Sequence, residues 1–342
     1  MSLRIVLGVA AIAAAKPIST VTQGDYLRTL ETRGGNVEIS ETVFTNLKYY
    51  SQHAAAAYCN FNTAVSRPIV CTDMVCPLVM QNRPLVVASM EGELTGIGAY
   101  VAVDSARKEV VFSVRGSNNI RNYVTDVVFA WRHCDLTPEC KLHIGFAEAW
   151  DEIKDAVTQA IMYAREMNPG YEVVITGHSL GGAVATIGAA YLRRDGLPAN
   201  LYTYGSPRVG NDKFANWFSE QRGGQWRVTH ENDPVPRLPP MFAGYRHVTP
   251  EYWLSGGDAF TTDYAISDVK ICRGIANVEC NASRFITDIF AHLYYFGDTG
   301  GCSGFPLRLR DTQQVDPLPQ DLKDRLTTWS RRDQQFVENG EA

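Results

Sequence analysis

A serine flanked by two glycines, in the segment Gly177-His178-Ser179-Leu180-Gly181, has the spacing G-x-S-x-G. An apolar, β-branched run from Tyr171 to Thr176 precedes it, and an Ala-rich run from Ala183 to Arg194 follows it. The first run predicts a strand buried on both faces, and the second predicts a helix. An ordinary strand-turn-helix corner would also show these residues. The context nevertheless favours a sharp turn that presents Ser179 as a nucleophile at a helix N-terminus.

A serine hydroxyl is a weak nucleophile at neutral pH, so Ser179 requires a histidine base and a carboxylate that orients the base. On folds with this turn, the three residues follow the chain order Ser, Asp, His. Asp233 is the candidate acid because it lies in a proline-stiffened loop after a predicted strand. His247 and His292 could each be a base or a packed structural residue. Chain order and a position near the end of the domain favour His292.

The negative charge that develops on a carbonyl oxygen requires two hydrogen-bond donors. One is the backbone N–H of Leu180, the residue after the serine. The turn Arg115-Gly116-Ser117 follows a predicted strand, Glu109–Val114, and Ser117 could donate both its backbone N–H and its hydroxyl. The pattern therefore predicts an oxyanion hole formed by Ser117 and Leu180.

A short amphipathic helix is predicted directly after this turn. Its apolar stripe has helical spacing and consists of Ile120, Tyr123, Val124, Val127 and Val128. A plain surface helix would show the same stripe. Its place beside the oxyanion turn favours a lid that covers the nucleophile in water and turns toward a lipid surface.

The chain has 342 residues and a net charge of −5, so it can bury a large core and shows no basic excess that would attract nucleic acid. Predicted strands and helices alternate, which indicates an α/β protein with one large domain. We expect a signal peptide at residues 1–15 and a propeptide or N-terminal arm at 16–36. The main domain is expected at 37–305 and a C-terminal extension at 306–342.

The C-terminal extension contains a predicted amphipathic helix. Its apolar stripe consists of Leu322, Leu326, Trp329 and Phe336, with basic residues on other faces. Such a helix cannot bury its stripe alone. It is expected to dock on the body of the domain near the acyl-binding groove or, as the less favoured alternative, on a lipid surface.

The even number of cysteines behind a signal peptide indicates disulfides rather than free thiols or a metal site. Three pairs are close in sequence and could each close a small loop, leaving one pair to join the start of the domain to its end. These pairs are Cys71 with Cys76, Cys134 with Cys140, Cys272 with Cys280, and Cys59 with Cys302. Asn281 begins an N-glycosylation sequon, Asn281-Ala282-Ser283, and a sugar there would require this loop to face solvent.

Several segments resemble, in order and spacing, those of the fungal class 3 lipases, the filamentous-fungal triacylglycerol lipases. The segments are AAAAYC, VRGS, GFAEAW, TGHSLGGAVAT, YTYGSPRVGN, NDPVPRLPP, GYRHVTPEYW and AHLYYFG. The match runs from about Tyr49 to Cys302, and the pattern is most similar to Fusarium-type secreted lipases. The pair Cys272–Cys280 and the tail beyond Cys302 are absent from the shorter relatives.

The resemblance implies an α/β-hydrolase fold with a central, mostly parallel sheet flanked by helices and a short helical lid. It also implies the triad Ser179, Asp233 and His292 and the oxyanion hole Ser117 and Leu180, and it leaves His247 in a structural segment. It supports the disulfides Cys59–Cys302, Cys71–Cys76 and Cys134–Cys140. The implied lid consists of Asn119, Ile120, Arg121, Asn122, Tyr123, Val124, Thr125, Asp126 and Val127.

Together these features predict a secreted lipase that cleaves carboxylic ester bonds of triacylglycerols through an acyl-enzyme, with no cofactor and no metal. The alternatives are a phospholipase A1 or a mixed lipase and phospholipase, then a feruloyl esterase, and last an inactive lipid-binding protein. The apolar lid residues argue against a flat aromatic acid as substrate, and the intact triad argues against an inactive protein. We expect a monomer that meets acylglycerol or phospholipid at a lipid–water interface and touches the lipid surface only peripherally.

Overall fold

The structure is a computed structural model that describes residues 39–72, 74–117, 124–125, 129–302 and 318–341. The expected signal peptide (1–15), the expected propeptide or arm (16–36) and the start of the C-terminal extension (306–317) lie outside the described residues. Among the residues that are described, no helix is both long enough and apolar enough to cross a bilayer.

Strands and helices alternate along most of the described chain. The helices are α1 (Glu41–Asn60), α2 (Pro77–Asn82), α3 (Ile144–Met167), α4 (Leu180–Arg194), α5 (Asp212–Ser219) and α6 (Gln320–Glu338). The strands are β1 (Leu85–Glu91), β2 (Gly98–Asp104), β3 (Glu109–Val114), β4 (Trp131–His133), β5 (Lys141–His143), β6 (Glu172–His178), β7 (Ala199–Tyr204), β8 (Gln225–His230), β9 (Glu251–Leu254) and β10 (Val269–Cys272).

One eight-stranded sheet, in the order β1-β2-β3-β6-β7-β8-β9-β10, forms the centre of the molecule. Within this sheet β3, β6, β7, β8 and β9 run parallel, whereas β1, β2 and β10 pair antiparallel at the two edges. Strands β4 and β5 form a separate antiparallel pair. Helices α3 and α4 pack on one face with one hydrophobic core, and α1 packs on the other face with a second core. Both faces of the central strands are therefore buried, which explains why their sequences are continuously apolar.

The sequence predicts the long elements well and misses the short ones. Strand β3 has its predicted bounds, and α4 and β6 differ from prediction by a few residues at their ends. Strands β4, β5, β9 and β10 were not predicted. Each has only three or four residues, which is too few for a hydrophobic period to identify.

The cysteines form four disulfides, of which Cys59–Cys302 joins the start of the domain to its end and the other three close short loops. These three are Cys71–Cys76, Cys134–Cys140 and Cys272–Cys280. Among the described residues, Cys59, Cys71 and Cys302 are the one group of potential metal ligands that lies close together. All three are in disulfides, so their sulfurs are not available as thiolate ligands.

Helix α6 docks on the protein with the two leucines of its apolar stripe buried and the two aromatic residues half-buried. Leu322 and Leu326 pack in a small hydrophobic cluster with Val124, Val235 and Ile289, which belong to the part of the domain that carries the candidate site. Trp329 packs at the edge of this cluster, with its ring 5.3 Å from that of Phe129. Of the two alternatives for the tail, docking on the body of the domain is the one that the structure shows.

A buried ion pair also fastens α6 to the domain. The Arg208 Nη1 donates to Asp333 Oδ2 (3.0 Å) and to the backbone carbonyls of Arg237 (2.7 Å) and Pro239 (2.8 Å). Both charged side chains are at most 5% exposed. The other carboxylate oxygen of Asp333 accepts from the Phe242 N–H. A buried charge without a partner is costly, so the docked helix is required to balance the charge of Arg208.

Replacing Asp333 with alanine is expected to lower the free energy of unfolding by about 3–5 kcal/mol, because it leaves the Arg208 guanidinium buried and unpaired. Asp324→Ala provides a matched control, since this aspartate is exposed on the same helix and its carboxylate contacts only Gln320 among the described residues. The control is expected to change stability by less than about 0.5 kcal/mol. Urea unfolding of the two variants measures both effects. Equal stability of the two variants would contradict the role given to this ion pair.

Candidate active site

Ser179 occupies a strained position between β6 and α4. Strand β6 ends at His178, α4 begins at Leu180, and Ser179 alone joins them with φ +57° and ψ −133°. Non-glycine residues rarely adopt this conformation, and such strain persists only where the surrounding structure enforces it. The predicted sharp turn is thus present, and it places Ser179 at the N-terminus of a fifteen-residue helix.

Two glycines allow this turn to close. A Cβ atom on Gly177 would lie 2.8 Å from the backbone nitrogen of Gly182. A Cβ atom on Gly181 would lie 2.7 Å from the carbonyl carbon of Arg115, in the loop after β3. Backbone atoms cannot shift to make room for a Cβ atom without a large energetic cost. The G-x-S-x-G spacing therefore follows from close backbone contacts on both sides of the serine.

The Ser179 side chain is buried beside the turn that holds it. Its backbone N–H donates to the Tyr204 carbonyl (2.8 Å), which anchors the turn to β7. The residue is only 1% exposed, and its Oγ has no hydrogen-bond partner among the described residues. A buried hydroxyl normally has a partner, so an unpartnered one at a strained turn is typical of a functional group.

His292 and Asp233 form the pair that the sequence predicts. The Nδ1 atom of His292 lies 2.8 Å from Asp233 Oδ2, and both residues are fully buried. Because a carboxylate can only accept, Nδ1 carries the proton and Nε2 is left free to accept one. Nε2 has no partner among the described residues, as is also true of Ser179 Oγ. These are the two atoms between which a nucleophile and its base exchange a proton.

Asp233 remains ionised despite its burial. Its Oδ2 also accepts from the Tyr295 hydroxyl (2.6 Å), and its Oδ1 accepts from the Val235 N–H (2.9 Å). Burial opposes ionisation, but His292 and these hydrogen bonds outweigh it and lower the pKa of Asp233 below its ordinary value. Burial and the adjacent Asp233 raise the pKa of Tyr295, which stays a donor. Sequence reasoning missed Tyr295, although its H-x-x-Y spacing from His292 was visible.

His178, beside the nucleophile, holds the backbone of His292. Its Nε2 donates to the His292 carbonyl (2.8 Å), and its Nδ1 accepts from the Tyr58 hydroxyl (2.9 Å). Burial, aided by His292, lowers the pKa of His178 to about 3, so its ring is neutral. This chain of contacts fixes the position of the base relative to Ser179. His178 is the second residue of the G-x-S-x-G motif, but nothing in the sequence indicates that it holds the His292 backbone.

The other downstream histidines lie in structural positions. His247 is buried, and its Nε2 donates to the Pro236 carbonyl (2.6 Å). Burial, followed by the charges of Arg227 and Arg208, lowers its pKa well below the usual range. His230 donates to the Ala291 carbonyl (2.8 Å) and accepts from Tyr264 (2.6 Å). His292 is thus the one downstream histidine whose ring pairs with the Asp233 carboxylate.

The turn after β3 lies against the nucleophile. A Cβ atom on Gly116 would lie 3.0 Å from Ser179 Cβ and 2.7 Å from the His178 carbonyl oxygen, so this backbone runs beside the serine. Ser117 follows it and is half-buried, and Leu180 supplies the first N–H of α4. The predicted oxyanion donors therefore belong to the two segments that meet at Ser179. The first N–H groups of a helix and the positive end of its dipole favour negative charge, and Ser179 lies at this end of α4.

Most of the predicted lid, Asn119–Val127, lies outside the described residues. Of its nine residues the structure describes Val124 and Thr125. Val124 is fully buried in the cluster under α6, and the Thr125 carbonyl accepts from Arg325 on that helix (3.1 Å).

Comparison with known proteins shows the family to which the chain belongs. A profile of the family described as Lipase (class 3) matches residues 111–243. Secreted mono- and diacylglycerol lipase 1 of Fusarium solani is 49% identical over 97% of this chain and 97% of its own. Secreted mono- and diacylglycerol lipase A of Penicillium camembertii is 35% identical over 79% of this chain and 91% of its own. The crystal structure of the mono- and diacylglycerol lipase from Aspergillus oryzae superposes with a TM-score of 0.72 at 33% identity, covering 75% of this chain and 97% of that one.

These findings confirm the predicted α/β-hydrolase fold, the resemblance to fungal lipases and the secreted location. The chain belongs to the class 3 lipase family and is a secreted serine-type carboxylic ester hydrolase.

Proposed function

We propose that this lipase hydrolyses acylglycerols, triacylglycerols among them, with Ser179 as nucleophile, His292 as base and Asp233 as the acid that orients it. The observation that carries the proposal is the 2.8 Å bond from His292 to Asp233, together with two buried atoms, Ser179 Oγ and His292 Nε2, that have no hydrogen-bond partner among the described residues. In the proposed complex, the carbonyl carbon of a bound ester lies beside Ser179 Oγ, and His292 Nε2 takes the serine proton. The negative charge of Asp233 stabilises the imidazolium that forms during the reaction.

In the first half of the reaction, Ser179 Oγ attacks the ester carbonyl carbon and transfers its proton to His292 Nε2. The carbonyl oxygen becomes an oxyanion, which the backbone N–H groups of Leu180 and Ser117 stabilise. The tetrahedral intermediate then collapses. The bond to the glycerol oxygen breaks, and His292 returns the proton to this leaving group, leaving an acyl group on Ser179.

In the second half, a water molecule takes the place of the alcohol. His292 accepts a proton from the water as the water oxygen attacks the acyl carbon, and the same donors stabilise the second oxyanion. Breakage of the bond to Ser179 Oγ releases the fatty acid and restores the serine proton from His292. No cofactor takes part in these steps, since the three side chains supply the nucleophile and move the proton.

Exposed apolar residues near the site support action at a lipid surface. Phe285 and Ile286 are 38% and 74% exposed, and they lie between the disulfide loop ending at Cys280 and the segment that carries His292. The Ile286 carbonyl accepts from Arg237, which also binds the Asn232 carbonyl beside Asp233. We infer that these residues touch lipid peripherally while a single copy of the enzyme acts on acylglycerol at the interface.

Initial rates measured in parallel on tributyrin, olive-oil emulsion, a partial glyceride, phosphatidylcholine and methyl ferulate test this proposal. We expect the acylglycerols to be the best substrates, as is consistent with relatives that are named for mono- and diacylglycerols. Rates that fall sharply when a third acyl chain is present would restrict the activity to partial glycerides. Preference for phosphatidylcholine or methyl ferulate over every acylglycerol would contradict the proposal.

A further inference from the structure

Asn281, the acceptor of the sequence's glycosylation sequon, is buried against the turn that carries Asp233. The residue is 2% exposed. Its Nδ2 donates to the backbone carbonyls of Glu231 (3.1 Å) and Asp233 (3.0 Å). Carbonyl oxygens only accept hydrogen bonds, so the side-chain atom that faces both of them must be the amide nitrogen. Both of its hydrogens are therefore in use inside the fold.

A glycan on this residue is incompatible with these contacts. N-glycosylation replaces one Nδ2 hydrogen with a bond to a bulky sugar that must extend into solvent. At Asn281 the change would remove one of the two hydrogen bonds and would require space within the packed turn. The sequon therefore marks a residue that the folded protein uses in another way.

The turn that Asn281 holds is strained. Glu231, directly after β8, has a φ of +33°, a left-handed backbone conformation that is unfavourable for a non-glycine residue. Its N–H donates to the Leu254 carbonyl, and the Asp233 N–H donates to the His230 carbonyl. Such a conformation persists only where neighbouring groups enforce it, and Asn281 binds the carbonyls on both sides of Asn232.

Asn281 is itself fixed by three strands. Its backbone N–H donates to Glu251 Oε1 on β9 (3.1 Å), and the same carboxylate accepts from Thr229 Oγ1 (2.6 Å) and Arg227 Nη2 (2.8 Å) on β8. The preceding residue, Cys280, is joined by a disulfide to Cys272 at the end of β10. Asn281 thus connects the sheet, through its backbone, to the turn that presents Asp233, through its side-chain amide.

We propose that Asn281 is an unglycosylated positioning residue that holds Asp233 in line with His292, an inference that rests on the proposed triad. Asn281 touches neither substrate nor the reacting atoms and acts through the backbone of Asp233. A displacement of about 1 Å at a catalytic group can lower turnover by about a hundredfold, so loss of the two hydrogen bonds affects turnover more than substrate binding.

The first test is peptide mass spectrometry of the active enzyme secreted by a yeast host that glycosylates sequons. We expect the peptide that contains Asn281 to carry no glycan. Ser283→Ala removes the sequon and keeps the Asn281 side chain, so this control is expected to keep wild-type turnover and stability. Active enzyme with a glycan on Asn281 would overturn the proposal.

The second test compares Asn281→Asp with the Ser283→Ala control. The aspartate has the same size, but its oxygens cannot donate to the two carbonyls. We expect kcat on tributyrin, per active site titrated with a phosphonate, to fall about ten- to hundredfold while KM stays within about twofold. The far-downfield proton resonance of the His292–Asp233 hydrogen bond is expected to shift or broaden. Unchanged kcat and an unchanged resonance would overturn the positioning role.

Two further variants distinguish a failure of the proposed triad from a failure of the positioning role of Asn281. Asn281→Ala removes the donors without adding charge and decides the question if the aspartate variant is not secreted. Asp233→Asn, measured in the same assay, tests the triad on which the proposal rests. Wild-type turnover in Asp233→Asn would mean that the triad is wrong. Loss of turnover in Asp233→Asn, combined with wild-type turnover in both Asn281 variants, would mean that only the positioning role is wrong.

Discussion

Replacing Ser179 with alanine is expected to lower kcat on tributyrin by about 10⁴- to 10⁶-fold while the protein stays folded, because the acyl-enzyme cannot form without the hydroxyl. Stability should change little. The Oγ atom has no hydrogen-bond partner among the described residues, so its removal breaks no such contact there. The assay is turnover on tributyrin, accompanied by the thermal unfolding midpoint.

A second buried serine provides the control for this result. Ser51 lies on α1, and its Oγ donates to the Lys48 carbonyl (2.8 Å). Ser51→Ala is expected to cost about 1 kcal/mol of stability and to keep wild-type turnover. If Ser179→Ala retained turnover comparable to that of Ser51→Ala, Ser179 would not be the nucleophile.

Asparagine in place of His292 is expected to lower kcat by about 10³-fold or more, because an amide cannot take the proton from Ser179 as the proposed imidazole base does. The substitution keeps the backbone carbonyl to which His178 donates, so that contact can persist. Initial rates on tributyrin across a range of pH measure the loss without depending on a single condition.

The matched variant is His247→Asn. This histidine is equally downstream of the nucleophile, but its ring binds the Pro236 carbonyl. Leaving that buried carbonyl poorly paired is expected to cost about 1–3 kcal/mol of stability with most of the turnover retained. The opposite pattern, in which His247→Asn is inactive and His292→Asn is active, would show that the wrong histidine has been chosen as the base.

The sequence predicts the turn at Ser179 well because its constraints are local. The β-branched run, the two glycines and the Ala-rich run lie within about two dozen residues, and together they require the strained turn at Ser179. Residue types and chain order then narrow the acid and the base to a few candidates. The structure adds the bond between Asp233 and His292, which no local pattern could give.

The supporting contacts could not be predicted because they join residues that are distant in the chain. Arg208 and Asp333 are 125 positions apart, and Asn281 is 48 positions from Asp233. A buried arginine and an exposed one have the same letter in the sequence. A glycosylation sequon is defined by three residues and carries no information about burial. The burial of Asn281, which argues against a glycan, is visible only in the fold.

Covalent labelling tests the central assignment, the nucleophilic role of Ser179, most directly. The enzyme is incubated with a p-nitrophenyl alkylphosphonate, and the released nitrophenol, the residual activity and the modified peptide are measured together. We expect one phosphonyl group per chain, attached to Ser179 Oγ, with activity lost in proportion to labelling, because only an activated serine attacks phosphorus at neutral pH. Attachment of the label to another residue as activity disappears, or full activity in enzyme labelled at Ser179, would contradict the assignment.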